Sequence, residues 1–404
     1  MFPSRRAILG GDVFRDEYSL SFDGTNDYVN CGEGLGVSLG ANYAGDLSVS
    51  IWFKANATDN VGLFQIGTHN FGEFSISIDD NLLRLSLNNR GWEMEVAFAD
   101  TDNWNHVVGV LDVGSESTTL LYLNGVSVGA LAGDDDTFPD AAGTDMNDGD
   151  TEIGRTHSYE FNGNISDVAA YDTALSASQV KALYNGREPY NHKEGIASGN
   201  LIGWWRMGDG ILDDKRTHGL VADQVNPTLG AELAVDGGFE AGLTPVDNAD
   251  DKWTDDGVRV AMNLAMAPAT DNAHTGDNSA KITIKDGTSG SIAYKRTDYD
   301  ATKTYKAEIY MKAGSGQTIT AFECFADTSF TGTCFKGSQI TPTTDYQYAT
   351  IYFQPTASTF FVSFKATGTE DHFGYVDSFS IKEVSGNPGI MVNFDGSDFT
   401  GDTP

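Results

Sequence analysis

Short runs of alternating apolar and polar residues, rather than helical stripes, organise this chain from residue 18 onward. Leu20 and Phe22 alternate with serines before the turn Asp23-Gly24-Thr25-Asn26, and Leu47, Val49, Ile51 and Phe53 repeat the pattern in "LSVSIWFKAN". The same period of two recurs in "GLFQIG", "EFSISIDD", "LLRLSLNN", "MEVAFAD", "HVVGVLDV", "TLLYLNG" and "GNISDVAAYD", with Gly, Asn and Asp between the runs. A strand sends successive side chains to opposite faces, so such runs predict half-buried strands. Many short strands with a turn about every ten residues predict a β-sandwich. Asn124-Gly125 predicts a type I′ hairpin turn.

One stretch breaks the alternation. "ALSASQVKALYNG" (174–186) offers Ser176 as an N-cap, Gln179 as its capping-box partner and Gly186 as a stop, with Val180, Leu183 and Tyr184 on one face. That combination predicts a short helix.

Beyond it, "REPYNHKEGIASGN" reads as a loop, and "LIGWWRMGDG" as a strand returning to the edge of the first sandwich. Trp204 and Trp205 are neighbours on that strand and must face opposite ways. From residue 231 the alternation restarts and predicts about eight more strands, a second sandwich. The expected division is an N-terminal arm at 1–16, a sandwich at 17–230 with a returning strand at 201–208, a jelly roll at 231–385 and a tail at 386–404. The tail is acidic and glycine-rich, and reads as an extended arm or a disordered end. The fold class is therefore all-β: two β-sandwich (jelly-roll) domains in tandem, with one short helix in the first.

Composition supports this reading and narrows the partners. The chain has 404 residues, 40% hydrophobic and 11% aromatic, with 46 glycines, enough to form more than one core. Net charge is −33, with 9 Lys+Arg against 29 Asp+Glu up to residue 190 and 16 against 29 after it. A field of that sign over both halves repels phosphate and anionic lipid, so neither nucleic acid nor a membrane surface is an expected partner. No run of eighteen apolar residues occurs, and the first twenty residues lack the apolar core of a secretion signal. Those twenty residues carry Phe2, Ile8, Leu9, Val13 and Phe14 with Arg5, Arg6 and Arg15, a locally basic and apolar segment suited to docking on another subunit.

Catalytic signatures are missing. The seven histidines are scattered without a metal-binding pair, and no Ser-His-Asp, Cys-His or phosphate-loop arrangement is present. Three cysteines make no framework; Cys324 and Cys334 flank "FADTSFTGT" and their pairing stays open. Two acidic loops, "GDDDTFPD" (133–140) and "DMNDGD" (145–150), read as solvated loops or cation-binding loops, since oxygen-rich Asp/Asn/Gly loops suit calcium.

"SLSFDGTNDYV", "SVSIWFKA", "WNHVVGV", "LYLNGVSVG", "EIGR" and "FNGNISDVAAYDTALSASQVKALYN" follow one another in an order that resembles laminin G-like, concanavalin A-like jelly-roll domains, over roughly residues 17–190. The resemblance implies structural roles for Trp52 and Trp104. Glycoside hydrolases of this fold need carboxylates spaced as Glu-x-Asp-x-x-Glu, which is absent, so the chain is not expected to be an enzyme. In the second half, "VDGGFEAG…W", "HTGDNSAKIT" and "GYVDSFSIKEV" resemble carbohydrate-binding modules of the family 4 and 9 type. That resemblance implies a structural calcium at Glu240 and Asp377, with Asp236 and Asp277 nearby. It also implies sugar stacking on aromatics, for which Trp253, Tyr294, Tyr299, Tyr348 and Tyr352 are the candidates. "NPGIM…GDTP" resembles tails of tailed-phage virion proteins. The expected role is a non-enzymatic virion protein, a head decoration or fibre component. It would be anchored to other virion proteins through the N-terminal arm, be homo-oligomeric and face host surface glycans. The alternative is a secreted or surface bacterial carbohydrate-binding adhesin.

Overall fold

The computed structural model describes residues 14, 16–39, 45–67, 74–87, 92–113, 115–128, 130–132, 146, 149–156, 159–215, 219–234, 237–239, 264–270, 272–285, 287–328, 335–394 and 397–404. They form two antiparallel β-sandwiches, nearly all-β as the alternation predicts.

In the first sandwich, strand Leu47–Ala55 is central to one sheet, between Asn105–Leu111 and Asn162–Tyr171. Ser19–Asp23 and Leu201–Trp205 both pair with Asn162–Tyr171. The facing sheet runs from Ala130–Ala132 through Trp92–Ala97, Leu82–Leu87, Phe74–Asp79, Val61–Ile66 and Thr151–Ile153 to Tyr28–Asn30. Leu20, Phe22, Val49, Ile51 and Phe53 meet Phe64, Phe74, Ile76, Leu83 and Leu85 between the sheets. Burying each such side chain stabilises the fold by about 1.5–3 kcal/mol. Asn124 and Gly125 have φ of 53° and 75°, the two left-handed conformations a type I′ turn demands.

The first sheet is covered on its outer face too. Helix Ala177–Leu183 starts with the capping box: Ser176 Oγ accepts the Gln179 N–H and Gln179 Oε1 accepts the Ser176 N–H. Its Val180 and Leu183 pack with Val108, Tyr122, Tyr171 and Trp204. Trp205, one residue on, lies in the core between the sheets, so the two tryptophans serve opposite faces of one strand. A second helix, Gly34–Leu39, has no period the alternation reveals.

The second sandwich follows the first, and the chain then returns to the first. Gly389–Val392 inserts between Tyr28–Asn30 and Leu220–Val221 in one sheet, and Phe399–Thr400 pairs with Ser19–Asp23 in the other. The stretch read as a tail thus completes both sheets of the first sandwich, burying Met391 and Phe394 in its core. The second sandwich is an insertion entered and left at neighbouring points, where Ser385 donates its N–H to the Thr228 carbonyl at 3.0 Å. At the other end, Phe14 packs against Trp204 at 5.8 Å and Asp16 pairs with Arg206 at 2.7 Å, so these two residues of the predicted arm dock on their own domain. The other residues of 1–16 lie outside those described.

Among the described residues the second sandwich pairs a six-stranded sheet with a four-stranded one. Thr304–Ala313 alternates strictly: Tyr305, Ala307, Ile309 and Met311 go inward, while Lys306, Glu308, Tyr310 and Lys312 go outward. The inward set meets Phe322, Phe353, Phe360, Phe364 and Phe379 in the core.

Candidate functional site

The outward residues of Thr304–Ala313 define a half-buried face, and register carries it onto both neighbouring strands, where Tyr348 is exposed while Thr350, Tyr352 and Asp377 are buried. Tyr310 lies opposite Tyr348 on one side and Asp377 on the other; Glu308 lies opposite Thr350 and Ser380; Lys306 lies opposite Tyr352 and Lys382. Cross-strand partners share a face within side-chain reach. The Tyr310 and Tyr348 rings stand 5.6 Å apart, and His274 stacks on Tyr310 at 3.9 Å. Lys306 pairs with Glu308 at 2.9 Å, and Lys312 lies 4.7 Å from the Tyr346 ring. Tyr348 is 40% exposed.

The strip ends at a junction with the first sandwich. There a cavity of about 270 Å³ is lined by Lys306, Tyr348 and Tyr352 together with Leu212, Asp213 and Asp214. Tyr352 donates its hydroxyl to Asp214 at 3.0 Å. Asp213 accepts the N–H groups of Gly208, Gly210 and Ala222, and burial nonetheless raises its pKa to about 6. An array of aromatic faces, carboxylates, an ammonium and hydroxyls is suited to holding a polyhydroxylated ligand, whose C–H faces and hydroxyls need both kinds of partner.

Of the residues expected to stack on sugar, Tyr348 is the exposed one among those described. Tyr294 is fully buried against Phe379, and Tyr299 lies edge-on to Tyr305 and Phe353 in the core. Tyr352 is 5% exposed and spent at the inter-sandwich junction. Tyr294 and Tyr299 are packing residues, corrected from the expectation because their rings are enclosed in the core, while Tyr352 lines the junction cavity. Trp253 lies outside the described residues. Tyr310, absent from the expected set, had a signal: it is an aromatic at a polar-parity position of an otherwise strict alternation.

Of the expected calcium set, Asp377 and Asp277 fall among the described residues. Asp377 is buried and its carboxylate holds a turn: Oδ2 accepts the N–H groups of His274 and Thr275 at 2.7 and 3.0 Å, and Oδ1 that of Ser378. These donors satisfy most of a carboxylate's capacity without a cation. Asp277 is an exposed turn residue, and Glu240 and Asp236 lie outside the described residues. The acidic loop 133–140 lies outside them as well, and of 145–150 residues 146, 149 and 150 are described. The grouping of three acidic side chains found among the described residues is Asp59, Asp79 and Asp80, where Asp79 is already paired with Arg84 at 2.5 Å.

A polar network invites comparison with catalytic triads. His192 bridges the Tyr171 hydroxyl and Asp167, the latter at 2.6 Å, and Trp204 Nε1 donates to the same carboxylate at 2.6 Å. All four residues are at most 4% exposed, so the network ties helix-side elements to the sheet and no solute reaches it. His106, stacked on Trp52 at 4.9 Å, is likewise sealed; burial pushes its pKa down to about 3 and keeps it neutral.

Three solved structures illustrate what the chain is similar to. A xylan-binding domain from Paenibacillus barcinonensis is 14% identical, with 34% of this chain and 90% of that one covered and a TM-score of 0.27. A carbohydrate-binding module of the Ruminococcus gnavus IT-sialidase, bound to sialyllactose, is 19% identical, with 43% and 100% covered and a TM-score of 0.32. A heptameric pentraxin from Limulus polyphemus is 16% identical, with 44% and 85% covered and a TM-score of 0.30. No curated protein matches the sequence. Residues 23–181, most of the first sandwich, match a family model described as the concanavalin A-like lectin/glucanases superfamily.

Proposed function

We propose that the protein is a non-enzymatic glycan-binding protein that takes saccharide on the outward face of its second sandwich, along Tyr310 and Tyr348. The observation that carries this is a pair of tyrosines facing outward from adjacent strands, flanked by Lys306, Glu308 and the junction cavity. The match of the first sandwich to a superfamily of lectins and glucanases supports the ligand class, although fold alone does not fix function. Binding of a glycan array by the wild type, lost or reduced at least tenfold in Tyr348→Ala with the melting temperature unchanged, is the expected result. Binding by the variant at wild-type strength would remove this face from the function.

The place of display is proposed as the surface of a virion, with the acidic sandwiches held outward in solvent. The alternative is a bacterial surface adhesin. Mass spectrometry of purified particles against cell-envelope fractions separates them.

A further inference from the structure

A larger groove lies between the sandwiches, about 890 Å³, on the side where Tyr28–Asn30 and Gly389–Val392 face the second sandwich. We propose that it is a second, independent saccharide subsite, selective for uncharged oligosaccharides. The choice of ligand class rests on the glycan-binding reading above; the location does not.

Four observations carry it. The volume falls in the range of small-molecule sites, about 300–1,000 Å³, and admits a ligand of several rings. One wall is the half-buried ring of Tyr28, held by the Arg155 guanidinium 3.5 Å from its centroid, while Arg155 is itself paired with Glu152. A ring fixed before binding loses little freedom on stacking. Around it stand amides and carboxylates from both sandwiches: Asn30, Asp150 and Asn393 from the first, Gln354 from the second. Asn30 donates to Asp150 at 2.7 Å and accepts the Gly32 N–H at 2.6 Å, and Gln354 donates to the Ala301 carbonyl at 3.1 Å, so these polar side chains are held in place around the groove. Finally, the walls are in contact at one edge. At Gly32, with φ of +65°, a Cβ would meet Gln354 Oε1 at 2.1 Å, so the sandwiches touch backbone to side chain at the groove's edge.

Charge selects within the class. Glu33 and Asp150 outnumber Lys336 along the lining, on a chain of net charge −33, so sialylated, sulfated or phosphorylated ligands are disfavoured.

The test uses the full chain and a panel of neutral gluco-, galacto-, manno- and xylo-oligosaccharides beside sialylated and sulfated ones, with binding and stoichiometry read by calorimetry. Wild type is expected to bind a neutral oligosaccharide at two sites. Tyr28→Ala is expected to weaken one of them at least tenfold and leave the other, which Tyr348→Ala removes. Asn393→Ala, at an exposed position, serves as the milder groove variant should Tyr28→Ala fail to fold, with a severalfold loss at the same site. Unchanged two-site binding in both groove variants overturns the proposal, as does a single site abolished by Tyr348→Ala, or a panel in which only acidic glycans or none bind. Loss at the groove with no effect of Tyr348→Ala would instead sink the outward-face reading and leave the groove standing.

Discussion

The carboxylate of Asp223 accepts the backbone N–H of Asn387 at 3.0 Å, joining the chain where it leaves the first sandwich to the point where it comes back. The same carboxylate accepts the N–H groups of Trp204 and Val225, each at 3.0 Å, and Trp205 Nε1 donates to the Asn387 carbonyl at 2.8 Å. Both crossings between the sandwiches are thus fixed at one buried acid, 1% exposed.

Asp223→Ala strips three N–H groups of their acceptor at that point. Each unsatisfied buried group costs about 1–3 kcal/mol, with water recovering part of it, so a net loss of about 3 kcal/mol is expected. Urea unfolding of the variant checks the figure. A change below about 1 kcal/mol would mean the junction is held elsewhere.

Deleting residues 389–404 is expected to unfold the first sandwich while sparing the second. It removes the strand between Tyr28–Asn30 and Leu220–Val221, and with it Met391 and Phe394, whose ring lies 5.0 Å from that of Phe22. Loss of two large core side chains alone costs about 2–5 kcal/mol each. Limited proteolysis followed by mass measurement should recover a resistant fragment beginning near residue 229 and little of residues 17–200. A fragment pattern like that of the intact chain would show the C-terminal strands to be dispensable.

Asp377→Ala is expected to lower the stability of the second sandwich by about 2–3 kcal/mol, since three backbone donors lose one acceptor. Asp377→Asn keeps one oxygen and should fall between it and wild type. Differential scanning calorimetry with and without calcium reads both: equal losses in the two conditions fit a turn-holding acid, and a loss confined to calcium would assign the residue to a cation.

Five aspartates among the described residues are raised from 3.8 with burial as the first cause: Asp16 to about 7, Asp27 and Asp213 to about 6, and Asp209 and Asp223 in the same direction. A raised acid binds its proton more tightly folded than unfolded, so its contribution is present at low pH and lost as pH climbs from about 4 to 7. Thermal unfolding is therefore expected at higher temperature at pH 5 than at pH 8, with self-repulsion of the acidic chain acting in the same sense. His106, lowered by burial to about 3, opposes this trend below about pH 6.5, and groups such as Asp402, lowered by Lys54 and Trp104 despite partial burial, join His106 as pH falls further. A melting temperature that rises steadily from pH 5 to pH 8 would contradict this.

What local pattern could settle, it did. Period-two alternation marked strands because a pleated chain with one face in a core must repeat every second residue, as in Thr304–Ala313. Ser176 with Gln179 marked a helix start, and Asn124-Gly125 a turn, because those bonds and dihedrals are made within a few residues. The neighbouring Trp204 and Trp205 had to diverge, and they do. Contacts across large separations were another matter. "GIMV" at 389–392 is too short to betray a strand, and its role comes from pairing with residues some 170 and 360 positions earlier. Aromatics in an alternating strand look alike whether they fill a core or face solvent. Tyr294 and Tyr348 were told apart only by which parity the opposing sheet covers, a property of the assembled sandwich.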